Sequence, residues 1–328
     1  MIKQLFKQAL QSDMARGLYR RSASAIERSR VARTVLFGRS LGAIYEELGF
    51  HVVPAHFYHP VPAGRDLSRH EARFDEPSAL PGVDMRLPAQ IALLDALRPW
   101  FAECDFPREK QGGVEPAYYV RNGSYGHLSA AVLHAMVREL RPSKVVEVGS
   151  GMSTLVTARA LTLNAREGAK CDFRAIEPYP PPHLRAPLPG LSGLLQQKVE
   201  EVPMEVFTAL GEGDILFIDS SHVVKTFGDV NHLYLEVLPR LRKGVTVHVH
   251  DIFFPFEYPK SWVIDNRWYW TEQYLLQAFL MFNSAFEVQI AERYLREKAS
   301  RELSAAFPFS LGEEDNFDSN SLWMRRVR

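Results

Sequence analysis

Cysteine is scarce in this sequence. The 328 residues contain only Cys104 and Cys171, and no Cys-x-x-Cys pair. That scarcity excludes a disulfide framework and a cysteine-built zinc site, and it suits a reducing cytoplasm. An excess of either charge is missing too, since Lys and Arg total 39 and Asp and Glu total 39. A neutral chain has no overall field to draw in a polyanion, so nucleic acid is not an expected partner. No apolar run approaches the roughly 20 residues of a membrane span, and the first residues lack the apolar core of a signal peptide. Internal repeats and low-complexity tracts are absent, which argues against solenoids and long disordered linkers.

The hydrophobic fraction, 46%, is ordinary for a soluble enzyme. A chain this long can bury about three quarters of its unfolded surface, so core size sets no limit. The stretch that organises the rest is Lys144–Asp219. Val145 to Val148 reads as a buried strand, broken at Gly149-Ser150-Gly151 and followed by a helix beginning near Ser153. Glycines at the turn let the backbone approach a ligand, and the first turn of the helix offers free N–H groups. A dinucleotide fingerprint would place a third glycine where Thr154 stands, which argues against NAD. The next apolar run, Phe173–Ile176, ends in Glu177, and an acid at a strand tip can accept both hydroxyls of an adenosine ribose.

Taken together, Glu147 in Val-Glu-Val-Gly-Ser-Gly, Ser153-Thr154 after the glycines, Glu177-Pro178 and Asp219 resemble the class I S-adenosylmethionine-dependent methyltransferases. The likeness runs over residues 115–328. It implies an α/β fold, a Rossmann-like seven-stranded, mostly parallel sheet with helices on both faces. S-adenosyl-L-methionine is the implied cofactor. Its methionine part would lie along Glu147, Gly149, Ser150 and Gly151, with Ser153 and Thr154 following; its ribose on Glu177 beside Pro178; its methyl beside Asp219 and Ser220. Tyr125, with Asn122 and Ser124, precedes the helix ahead of the first strand, where the family closes over the cofactor; a simple turn is the competing reading.

Alternating periodicity extends the pattern. Strands are expected at 145–148, 172–176, 194–199, 215–218, 245–249, 286–290 and 322–327, with helices at 87–101, 128–140, 153–165, 203–210, 229–241 and 271–282. Residues 86–328 form the expected methyltransferase domain and 1–85 an N-terminal helical and extended cap. Within that cap, residues 1–50 carry nine Lys or Arg against four acids, with apolar residues at helical spacing. Two amphipathic helices are expected there, the second over 29–48, as a solvated basic face or as a membrane-surface or partner-docking element. Residues 49–62, with His51, His56 and His59 among three prolines, should run extended, as a lid strip or a packed linker, and 64–84 reads as a surface connection.

Two clusters fall at the carboxyl edge of the sheet: Asp219-Ser220-Ser221-His222 after the fourth strand and His248-Val249-His250-Asp251 at the end of the fifth. Strand alternation points His248 and His250 to one face, and His248 equally suits a packed core position. One reading makes His222 a general base, with Asp219 and His250 as further catalytic candidates. The other gives Asp219, His250 and Asp251 to a divalent metal that acidifies the acceptor. Macrolide-sugar O-methyltransferases and cephalosporin-hydroxylase-like proteins resemble this layout. They place an Asp after the fourth strand, a His three residues on, and two acids after the fifth, and His250 stands where the first of those acids would be. Such a change would suit iron, manganese or zinc better than magnesium.

His-Asp-Ile-Phe-x-Pro at 250–255 is similar to a signature of a bacterial small-molecule methyltransferase family. The aromatic loop from Ile252 to Trp270 would wall an acceptor pocket or pack into the core, and Glu272 suits the first turn of the following helix. The expected activity is methyl transfer to oxygen or nitrogen of a small molecule. A metal-dependent hydroxylase-like enzyme and a non-catalytic cofactor-binding module are the alternatives, and an oligomer is compatible with all three.

Overall fold

The computed structural model describes residues 39–53, 56–112, 116–307, 309 and 320–328. The first of the two expected N-terminal helices, and the second as far as residue 38, lie outside the described residues. The chain divides into two compact units, Met1–Arg69 and His70–Arg328. In the first, helix α1 (Arg39–Glu47) and the short α2 (Gly64–Arg69) flank a stretch without helix or strand among its described residues. Prolines deny that stretch a regular element, as the sequence predicts. No helix among the described residues is long and apolar enough to cross a membrane.

The second unit begins with α3 (Leu87–Phe101) and α4 (His127–Leu140). Strands and helices then alternate: β1 (Lys144–Val148), α5 (Met152–Arg166), β2 (Asp172–Ile176), β3 (Gly193–Leu195), α6 (Glu205–Thr208), β4 (Ile215–Ile218), α7 (Asp229–His232) and β5 (Thr246–His250). After them come α8 (Glu272–Leu280), β6 (Phe286–Ala291), α9 (Glu292–Lys298), α10 (Ser300–Ala306) and β7 (Ser321–Arg326). The seven strands form one sheet in the order β3-β2-β1-β4-β5-β7-β6. β7 lies between β5 and β6 and runs antiparallel to both, while the other pairings are parallel. The α/β class, seven strands and mostly parallel order are those expected.

β1, β4 and β5 are buried along almost their whole length because both faces of the sheet are covered. Val145, Phe173, Ile215 and Phe217 face a core that includes Leu97, Phe101, Leu128 and Leu133. Their neighbours Val146, Ile176, Leu216 and Ile218 face the other, with Leu233, Val237, Leu276 and Leu280. α4 is buried along nearly its whole length, so its polar residues require partners. Glu103 provides them: Oε2 lies 2.9 Å from His134 Nε2 and 2.8 Å from Arg138 Nε.

Several elements depart from expectation. The helix expected over 229–241 widens to π pitch at Leu233–Val237 and tightens to a 3-10 turn at Leu238–Arg240, where Pro239 has no N–H for the ladder. β3 stops at Leu195, and Val199–Glu201 is a 3-10 turn instead of strand. Residues 64–84 are more than a surface connection, since they include α2 and a 3-10 turn at Glu71–Phe74, and Leu80 is buried in the core. α9 and α10 were not foreseen.

Register decides where the chemistry falls. Val148 pairs with Ile176 on one side and Ile218 on the other, so β1, β2 and β4 end level. The next residues, Gly149, Glu177 and Asp219, therefore arrive together at one edge of the sheet, and β5 brings His250 and Asp251 to the same edge.

Candidate active site

The Gly149 turn is shaped first by the protein itself. Its φ is +78°, and a Cβ there would lie 2.0 Å from the backbone oxygen of Asp219. Gly149 donates its N–H to Ile176 O at 3.0 Å, and Asp219 donates to Val148 O at 2.8 Å, so no side chain fits between these strand ends. Gly151 differs, because a Cβ there meets nothing within 4 Å and its backbone is extended. That glycine opens onto space beside the start of α5.

Glu147 lies beneath the turn, fully buried, and accepts the Ser153 hydroxyl at 2.6 Å. Burial pushes its pKa up to about 8, against the partial pull of the Ser153 and Thr154 hydroxyls. Its Oε2 and the Ser150 hydroxyl are buried without hydrogen-bond partners. Unused polar atoms beside an open glycine are what a polar ligand would complete, so the turn fits the methionine part of S-adenosylmethionine. Glu177 sits at the tip of β2, where its carboxylate accepts Tyr179 N–H at 2.7 Å and Ser150 N–H at 3.4 Å. It ties the second strand end to the glycine turn, with Pro178 half-buried beside it.

At the ends of β4 and β5, the structure gathers Asp219, His222 and Asp251. One ligand atom from each lies within 4.8 Å of the others. His222 Nε2 is 3.1 Å from Asp219 Oδ1 and 3.4 Å from Asp251 Oδ2, and Nδ1 donates to Glu272 Oε2 at 2.9 Å. Burial would lower the His222 pKa, but Asp219 and Glu272 raise it well above its ordinary value. Burial also works to raise Asp219, yet His250 and His222 hold its carboxyl below the usual range. Asp251 is pushed up by burial, which the two histidines offset only in part.

His250 stands apart from this group. Its buried ring packs 4.7 Å from Tyr125, Nε2 comes no nearer than 3.7 Å to Asp251 Oδ1, and neither nitrogen has a hydrogen-bond partner. The metal-like set is therefore completed by His222, where the sequence reading placed His250. One imidazole and two carboxylates fit a divalent cation such as manganese, iron or zinc, with His222 Nε2 in place of an oxygen donor. His248 is a packed core residue, stacked 4.0 Å from Phe217, and burial holds its pKa well below the ordinary value.

Asn122 uses its amide within its own turn, donating to Tyr119 O and Tyr125 O and accepting from Ser124 and Tyr125. Tyr125 is buried by that turn rather than set at an opening. The Ser220 hydroxyl donates to Glu272 at 2.8 Å and accepts His222 N–H at 3.1 Å. In the aromatic loop the core-packing reading holds for part of the chain. Phe253, Phe254 and Tyr258 are buried, while Trp268 is 42% exposed. Trp270 lies 4.3 Å from the His222 ring and stacks on Trp268 at 5.2 Å.

Three residues at this edge were not read from the sequence as site residues, although Glu272 was read as a helix-start acid. Glu272, fully buried, reaches His222 from the start of α8. Asn320 donates to Asp251 Oδ1 at 2.5 Å and leaves Oδ2 facing His222. Glu292 accepts Ser129 Oγ at 2.6 Å behind it. No local pattern marks them, because each meets its partner only through the fold.

Residues 146–252 match a family model described as a methyltransferase domain. An uncharacterized protein of Archaeoglobus fulgidus is 28% identical over 179 residues, covering 53% of this chain and 80% of that one. Among solved structures, CmcI with SAH is 18% identical at a TM-score of 0.36, covering 70% of this chain and 91% of that one. The O-methyltransferase TomG from Streptomyces achromogenes, in complex with SAM, is 12% identical at a TM-score of 0.36, covering 72% and 89%.

Proposed function

We propose that this chain is a class I S-adenosylmethionine-dependent methyltransferase, in keeping with the methyltransferase-domain match at residues 146–252, and that it transfers the methyl group to oxygen or nitrogen of a small-molecule acceptor. One observation carries the reading: buried His222 presents Nε2 to Asp219 and Asp251 at the same sheet edge as the glycine turn that opens at Gly151. S-adenosylmethionine supplies an electrophilic methyl on a sulfonium, and the protein's part is alignment and removal of the acceptor's proton.

Gly151, Ser150 and Glu147 hold the methionine part, and Glu177 turns its carboxylate to the ribose. Asp219 stands between the two halves of the site, with one side toward the glycine turn and the other toward His222. Asp219, His222 and Asp251 hold a divalent cation that lowers the acceptor's pKa, or His222 receives the proton directly. Trp268 and Trp270 line the approach to His222. The scarcity of cysteine supports a cytoplasmic setting.

Incubation with S-adenosylmethionine, an acceptor panel and either manganese or a chelator, read as S-adenosylhomocysteine by mass spectrometry, tests both levels. Product that disappears with the chelator supports the cation, and product that survives it supports His222 as base. If calorimetry detects no S-adenosylhomocysteine binding, the methyl-transfer reading fails.

A further inference from the structure

We infer that Glu272 is a positioning residue that grips the His222 ring through Nδ1 and commits Nε2 to a divalent cation shared with Asp219 and Asp251. The inference rests on the methyl-transfer reading above and specifies how that site is held. Glu272 is fully buried at the first turn of α8, and its Oε2 receives both the His222 Nδ1 proton, at 2.9 Å, and the Ser220 hydroxyl, at 2.8 Å. A carboxylate only accepts, so Nδ1 must carry the proton and Nε2 is left to face two more carboxylates at 3.1 and 3.4 Å. A bare lone pair there would be repelled, so Nε2 must carry either a proton or a metal ion. Where a metal is the cation, a carboxylate on the far nitrogen fixes the tautomer and increases the basicity of the ligating one.

The backbone reinforces this grip. Thr271 and Glu272 both donate their N–H groups to His222 O, at 2.8 and 3.0 Å, so the start of α8 moves with His222. A residue serving only the helix dipole would sit at the solvent rim, and Glu272 does not. Trp270, its ring 4.3 Å from that of His222, supplies an optical reporter.

Manganese(II) titration of wild type, Glu272→Gln and Glu272→Leu tests the assignment, with free ion followed by electron paramagnetic resonance and binding by quenching of tryptophan fluorescence. S-adenosylhomocysteine affinity is measured in parallel by calorimetry. Wild type should bind manganese, Glu272→Leu about 100-fold more weakly and Glu272→Gln about tenfold more weakly, because the amide oxygen still accepts the Nδ1 proton without the charge. S-adenosylhomocysteine affinity should be unchanged throughout, which a general loss of structure would not allow. Wild-type manganese affinity in Glu272→Gln overturns the inference even if Glu272→Leu does not fold. So does wild type that binds S-adenosylhomocysteine but no manganese. Manganese bound with the expected ranking but no S-adenosylhomocysteine binding instead sinks the methyl-transfer reading and leaves Glu272 in its role.

Discussion

Glu147→Gln separates a protonated from an ionised carboxyl in the core. Glu147 is fully buried under the glycine turn, and its pKa is pushed from 4.5 to about 8, chiefly by burial. A raised carboxyl pKa places the stability contribution at low pH. Below 4.5 the group is protonated in folded and unfolded chains alike, and nothing is lost. Between 4.5 and about 8 the folded chain keeps a proton that the unfolded chain has released, so stability falls as pH rises. The slope is about 1.4 kcal/mol per pH unit, and the loss levels off above the folded pKa at a few kcal/mol. Glutamine has the same shape and no proton to release. Urea unfolding of both proteins at unit intervals from pH 5 to 8 cancels every other titrating group. The variant should gain on wild type by about 1.4 kcal/mol per unit. Parallel stability profiles would show that Glu147 is ionised in the folded chain and refute the argument.

The two glycines of the turn should behave differently. Gly149→Ala meets the Asp219 backbone oxygen at 2.0 Å in a left-handed conformation, so a large fall in melting temperature or loss of soluble protein is expected. Gly151→Ala meets nothing, so it should melt like wild type and lose only S-adenosylhomocysteine affinity by calorimetry. His248→Phe keeps a flat ring on Phe217 and removes two buried nitrogens that lack hydrogen-bond partners, so its unfolding free energy should match wild type or exceed it by about 1 kcal/mol. Arg138→Met should cost about 2 kcal/mol in urea unfolding through lost charged hydrogen bonds to Glu103. Burial works against ionised Glu103, but Arg138 and His134 hold its pKa below 4.5. That contribution is present above 4.5 and is lost as pH falls through the lowered value, so the acid limb of stability should be shallower in the variant.

The sheet was legible because these central strands are short, largely apolar runs that each stop at a glycine or an acid. Val145–Val148 before Gly149, Phe173–Ile176 before Glu177 and Ile215–Ile218 before Asp219 all have this form, and level register turns those successors into one edge. His222 was legible as chemistry for the same reason, being four residues beyond the end of β4. Its partners were not. Glu272 lies 50 residues further on and Asn320 lies 69 residues beyond Asp251, and neither spacing is periodic in any element. His250 shows the opposite failure. Alternation correctly put it on the same strand face as His248, but its ring packs against Tyr125 and its Nε2 stays 3.7 Å from Asp251, beyond hydrogen-bond reach.

Backbone conformation explains why His222, and not His250, enters the cluster. Both His222 and Asp251 have left-handed φ, 58° and 55°, although neither is glycine. Each such residue costs on the order of 1–3 kcal/mol unless its surroundings hold it, although His and Asp tolerate the region better than most. The holding groups are specific. His222 O accepts two N–H groups from the start of α8, and the residue after Asp251 is fixed by Ile252 N–H donating to Asn320 O at 2.8 Å. His250 is the last residue of β5 and still obeys the strand, so its side chain goes where the pleat sends it. Asp251 and His222 have left the strand geometry, and their side chains turn back toward each other across the ends of β4 and β5. The same hydrogen bonds that hold the unfavourable φ values therefore aim the carboxylate and the imidazole at one point. Two left-handed residues thus meet in the His222 cluster, and α8 and Asn320, both distant in sequence, hold them there.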